Sequence, residues 1–242
     1  MVPPGFPGRS EDGFSMNVAF REAQALFGEN AGLYAGLALV FGIPSAIAKL
    51  ATKGNEGIAT LLVSLVVAAV FTAISEAAIT LGALRRVRGQ AVGNDVLSGA
   101  LDYYVPVLVA LLLSSLATML GIKLLILPGI YVAALLFMVI PAVVDEKLGG
   151  IKGLERSMAL GTGYRFEMFL MVFLFIVVLL GVTLMLRSLL SSAPLLAAFA
   201  DWLAVSVISA FGTVLAVTSY AQLRALGGDP IKRDADPREL VG

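Results

Sequence analysis

Six stretches of the chain are almost unbroken in apolar residues, at about 31–48, 58–84, 103–120, 124–144, 166–186 and 195–226. Each is close to the roughly 20 residues that a helix needs to cross a bilayer core. None alternates with a period of two, and an open sheet edge could not be tolerated in lipid. The pattern therefore predicts an all-α integral membrane protein with six transmembrane helices.

Between these runs lie three short segments with mixed faces. In 15–27, Met16, Phe20, Ala23 and Phe27 share one helical face and Asn17, Arg21 and Gln24 another, as in a helix at a membrane interface. The same residues would also suit a helix packed on the spans, and both readings stand. In 95–101, Leu97, Ala100 and Leu101 group together while Asp95, Ser98 and Asp102 turn away, with Asn94 placed to cap. In 151–160, Ile151, Leu154 and Met158 oppose Lys152, Glu155 and Arg156. Each segment carries Ala-Leu near its end (Ala25-Leu26, Ala100-Leu101, Ala159-Leu160), and a polar or glycine break and then a span follow. The expected plan is three units, each a short amphipathic interfacial helix followed by a membrane hairpin.

Charge sets the expected orientation. Thirteen Lys and Arg fall on one side: Arg9, Arg21, Arg85, Arg86, Arg88, Lys147, Lys152, Arg156, Arg165, Arg224, Lys232, Arg233 and Arg238. Lys49, Lys53, Lys123 and Arg187 are the four on the other. By the positive-inside rule both termini are cytoplasmic. Residues 1–13 read as a flexible leader, 14–226 as the membrane domain and 227–242 as a cytoplasmic tail. The expected site is the bacterial inner membrane.

Composition narrows the chemistry. Only 14% of residues are charged, against about a quarter in ordinary globular chains. Lys+Arg and Asp+Glu balance at 17 each, which gives nucleic acid no basic footprint. With no Cys and no His, thiol nucleophiles, thiolate metal sites and the commonest general base are excluded. No phosphate-loop or dinucleotide fingerprint is present. Asp145-Glu146, at a span end, reads as a solvated turn and not a metal site. No enzyme activity, cofactor or metal is expected.

A few residues inside or beside the spans stand out. Glu76 lies about eight residues before the end of the second run, roughly 12 Å deep at 1.5 Å per residue. An acid there is costly and faces a bundle interior, a partner or water. It is either a proton or cation site, or a structural group that is protonated or paired with an arginine such as Arg85 or Arg156. Asp201 beside Trp202, and Tyr103-Tyr104, read as interfacial anchors. Gly28, Gly32 and Gly36, then Ala69, Ala73 and Ala77, form small-residue rows that let helices approach. Arg85, Arg86, Arg88, Lys147, Lys152, Arg156 and Arg165 are candidate contacts for anionic headgroups, although the orientation rule alone accounts for them. Pro128 falls in a first helical turn, where its missing N–H costs little. Gly129 admits a neighbouring backbone, and Pro141 would kink or end its span.

Two segments, FSMNVAFREAQALFGENAGLYAGLALVFGIP and LPGIYVAALLFMVIPAVVDEKLGGIKGLERSMALGTG, carry a likeness. With the six runs they resemble the YciC-like bacterial membrane proteins, related to the membrane domain that accompanies glycerophosphodiester phosphodiesterases. The likeness covers about 14–226, and its most specific parts are Pro128-Gly129, Pro141, Glu146, Arg156-Ser157 and Leu160. It implies a six-span architecture. The phosphodiesterase chemistry does not transfer, because it belongs to a separate soluble barrel. Three functions are expected: an accessory, assembly or membrane-organising protein; a small transporter or channel with Glu76 in its pathway; or a lipid-binding or lipid-translocating protein. The partners would be membrane lipids, another membrane protein or a second copy.

Overall fold

The structure, a computed structural model, describes residues 13–51, 57–93 and 95–231. Arg9, Lys53, the expected cap Asn94, Lys232, Arg233 and Arg238 lie outside the described residues, as do most of the leader and tail. Helices α1 (Met16–Glu29), α2 (Ala31–Ala51), α3 (Ile58–Val87), α4 (Val96–Leu101) and α5 (Tyr104–Leu124) come first. They are followed by α6 (Ile126–Leu135), α7 (Val139–Asp145), α8 (Gly150–Leu160), α9 (Arg165–Leu189) and α10 (Pro194–Leu226). Among the described residues there is no strand.

Among the described residues, six helical segments are long and apolar enough to cross a membrane: α2, α3, α5, α6 with α7, α9 and α10. The chain is an all-α multi-pass membrane protein. Each span touches the next around a ring, α2 to α3 to α5 to α6 to α9 to α10 and back to α2, while α3 and α10 also touch each other. At 1.5 Å per residue, the 30 residues of α3 and 33 of α10 reach about 45 and 50 Å, well beyond the roughly 30 Å hydrocarbon core. The end of both helices that carries Arg85, Arg86, Arg88 and Arg224 is called here the basic end. There they are packed by α1, α4, α7 and α8.

The core sits in that half. It takes Ala73 to Val87 of α3, all six residues from Val139 to Val144, Met168 and Met171 of α9, and Ala210 to Leu223 of α10. In the far half, apolar side chains such as Val63, Val66, Leu116, Leu180, Leu184 and Leu196 are exposed.

The fourth span is broken, and the break lies upstream of Pro141. Helix α6 ends at Leu135 and α7 starts at Val139. Proline lacks the N–H that would bond four residues back and its ring crowds that carbonyl, so the helix opens over 136–138 instead of at the proline itself. Ser157 of α8 fills the gap. Its hydroxyl donates to Leu135 O at 2.8 Å and accepts from the Met138 N–H at 3.3 Å.

The short helices pack by small residues more than by the faces expected from sequence. Helix α1 follows α10: the Ser15 N–H donates to Gln222 Oε1, Thr218 donates to Ala19 O, and Phe20 and Phe27 lie against Phe211. Ala19, Ala23 and Leu26 are its buried face, and Asn17, Arg21 and Gln24 are exposed. In α4 the buried residues are Val96 and Ala100, while Leu97 and Leu101 are exposed. In α8 the buried face is Gly150, Gly153 and Ser157, and Ile151 and Met158 are exposed. The cause is close approach. A Cβ on Gly150 would come within 2.8 Å of Ala110 N and Pro106 O, and one on Gly153 within 2.3 Å of a Val143 methyl.

Candidate functional site

The densest polar chemistry is at the basic end, where α3, α7, α8 and α10 meet. Helix α7 delivers Asp145 and Glu146. Lys147 follows in the left-handed region (φ 52°), and the Leu148 N–H bonds back to Val143 O at 3.1 Å. That turn closes the helix C-terminus and leaves both carboxylates facing the bundle. The Asp145 side chain is 3% exposed. It pairs with Arg88 from the end of α3 and with Arg224 from α10, and Tyr220 donates to it at 2.8 Å. Glu146 accepts from Arg156 Nε of α8 with both oxygens, at 2.8 and 3.0 Å, and lies 2.9 Å from the Tyr220 hydroxyl.

In the turn expected to be solvated, the Asp145 side chain is buried and both carboxylates are paired, while Glu146 stays partly exposed. Tyr220 and Arg224 stand four apart on one face of α10, so a single helix supplies the hydroxyl between two carboxylates and one of the cations. The hydroxyl has one hydrogen and serves one carboxylate at a time. Arg224 also holds Asp229, in the turn after α10. Arg88, Gln90, Asp145, Arg224 and Asp229 line a cavity of about 330 Å³ beside the cluster.

The other candidate basic residues divide. Arg85 pairs with Asp95 at 2.8 Å, and Arg86 pairs with Glu29 of α1. With Arg88 and Arg156, four of the seven are therefore occupied by carboxylates of the same chain. Lys147, Lys152 and Arg165 have no ion pair among the described residues.

Glu76 is elsewhere, on the membrane-spanning part of α3, facing α10. The Thr213 Oγ1 lies 2.8 Å from Glu76 Oε2 and 3.1 Å from Ser209 O. One rotamer of that hydroxyl donates to a carboxylate. The other donates to the Ser209 carbonyl and leaves an oxygen free to accept from a carboxylic acid. Neither expected arginine reaches Glu76, since Arg85 holds Asp95 and Arg156 holds Glu146. The ion-pair reading of Glu76 is corrected to a hydroxyl contact.

Pro128 and Gly129 belong to the far end of α6. A Cβ on Gly129 would fall 2.4 Å from Ile122 N, so α5 and α6 cross backbone to backbone. Pro141 and Ser157 belong to the helix break. Sequence reading missed Asp145, Tyr220, Arg224 and Thr213 as site members. A signal was present in the polar run Thr218, Ser219, Tyr220, Gln222 and Arg224 near the end of an otherwise apolar helix. Comparison with protein-family models, with curated proteins and with solved structures finds no match.

Proposed function

We propose that the chain is a non-catalytic protein of the bacterial inner membrane, with both termini cytoplasmic, that acts as an accessory, assembly or membrane-organising protein. The uneven packing supports this best. The basic half is tied by buried side chains and ion pairs, whereas the far half keeps apolar faces open. In a bilayer such faces take lipid tails or a partner's span. The polar groups at the basic end are paired with one another instead of being set around a reactive atom. Gly28 lies on α1, apart from Gly32 and Gly36 on α2, and an added Cβ at either of those two meets nothing within 4 Å, so their row is open to a second helix. Kinship with the YciC-like proteins is part of the proposal and rests on the residues quoted for it.

Extraction into native lipid discs, followed by mass spectrometry, tests the reading. A membrane protein or second copy at fixed stoichiometry is expected. Ion or substrate uptake in liposomes that Glu76→Gln abolishes, with no partner recovered, would overturn it in favour of a transporter. That second reading draws on the Glu76–Thr213 contact inside the spans. The lipid-handling reading draws on Lys147, Lys152 and Arg165, and would gain from an enriched anionic lipid without protein. Orientation is open to a direct test because the chain has no cysteine: single cysteines at Gln90 and Ser191 should be labelled from opposite sides.

A further inference from the structure

One residue lining the cavity at the basic end has a buried donor with no acceptor. Arg224 presents three kinds of N–H. Nη1 goes to Asp145, Nη2 goes to Asp229, and Nε is buried without a hydrogen-bond partner. A buried donor left unpaired costs about 1–3 kcal/mol, more when charged. Nε–H and Nη2–H point the same way along one edge of the guanidinium, the edge that takes two oxygens of a single anion. Asp229 uses half of that edge.

Asp229 is also the replaceable partner. Its side chain is 64% exposed, against 3% for Asp145. It follows Gly227 and Gly228, the latter at φ +78°, in a capping turn whose Asp229 N–H bonds Arg224 O at 3.0 Å, so the carboxylate can leave by side-chain rotation alone. Arg88 lines the same cavity, with its guanidinium on the opposite oxygen of Asp145. The two arginines and Asp145 leave one positive charge, which Asp229 neutralises from outside.

We propose that this cavity is a phosphate-binding site held closed by Asp229. A phosphate group, from an anionic lipid headgroup or free in solution, displaces the Asp229 carboxylate. It takes Nε and Nη2 of Arg224 with two oxygens and reaches Arg88 with a third. Asp145 stays in place and keeps the two guanidinium groups together. A carboxylate that places both oxygens on Arg224 has no third oxygen for Arg88. The site goes beyond the accessory role and stands independently of it.

The test uses the full chain in phosphatidylcholine discs titrated with inorganic phosphate, with sodium chloride at matched ionic strength as control. In parallel, discs doped with phosphatidylglycerol are examined by native mass spectrometry for retained lipid. Asp229→Asn removes the internal competitor, so the apparent affinity should rise by roughly three- to tenfold, the reciprocal of the fraction of sites that Asp229 leaves open. Arg88→Gln should weaken binding, and if that variant does not fold, Asp229→Asn decides alone. A response to inorganic phosphate makes free phosphate sufficient, and retention of phosphatidylglycerol without one makes the source a headgroup. Both outcomes uphold the site. If neither probe binds, or if Asp229→Asn binds no tighter than the parent, the proposal fails.

Discussion

At the residue scale, Ser157 shows how one hydroxyl repairs a helix that proline has opened. Leu135 O and the Met138 N–H would otherwise be polar groups without partners in a buried layer. Ser157→Ala removes both bonds and should cost about 1–3 kcal/mol, a fall of several degrees in the unfolding midpoint in discs. An unchanged midpoint would mean that water already serves the break. Sequence reading placed Ser157 in a motif through a family likeness but gave it no role, because a helix break and its plug are 22 residues apart and meet only in three dimensions. Glu22 supplies a second case. It is half-buried on α1, and burial pushes its carboxyl from 4.5 to about 7. The docked state therefore favours the protonated form. This contribution is fully present below pH 4.5 and is lost as pH rises through 7. Protease access to the 13–30 segment should increase between pH 5 and 8, and Glu22→Gln should flatten the profile. A Gln variant with the same slope would assign the effect to another group.

At the element scale, the spans were legible and the short helices only partly so. Hydropathy is a local property, and the six apolar runs match α2, α3, α5, α6 with α7, α9 and α10 to within a few residues at most ends. The packed faces of α4 and α8 were not legible. The expected faces followed Leu97, Leu101, Ile151 and Met158, whereas contact is made where side chains are smallest and backbones come closest. Size, not hydropathy, decides packing between helices when both sides of the interface are apolar. Glycines make the distinction testable. Gly129 abuts Ile122 backbone and Gly32 has nothing within 4 Å of an added Cβ. Gly129→Ala should force α5 and α6 apart and destabilise by about 1–3 kcal/mol. Gly32→Ala in α2 should be neutral, or stabilising by up to about 1 kcal/mol through helix propensity. A large loss at Gly32 in the monomer would show an intramolecular contact there, while a loss confined to a dimer would place a second helix on the row.

At the scale of the whole molecule, the two ends differ in how their charges are used. Far from the arginine-rich end, Arg187 and Asp201 form a pair 3.0 Å apart with the arginine 63% exposed. Water and headgroups screen such a pair, which contributes about 0–1 kcal/mol. At the basic end, Asp145 is nearly sealed and holds two arginines from helices 79 and 57 residues away in sequence. Removing it leaves Arg88 without its carboxylate and Arg224 with Asp229 alone where α3, α7 and α10 join, and breaking a buried pair in this way costs about 3–5 kcal/mol. Asp145→Ala should thus lower the unfolding midpoint by on the order of 10 °C, and Asp201→Ala should leave it nearly unchanged. Hydrogen exchange should separate the two variants further, with new exchange after Asp145→Ala spreading through 80–88, 139–146 and 218–226 together. Equal midpoints for the two variants would mean that burial of apolar side chains alone holds the basic end, and that its ion pairs are ornaments on a core already complete.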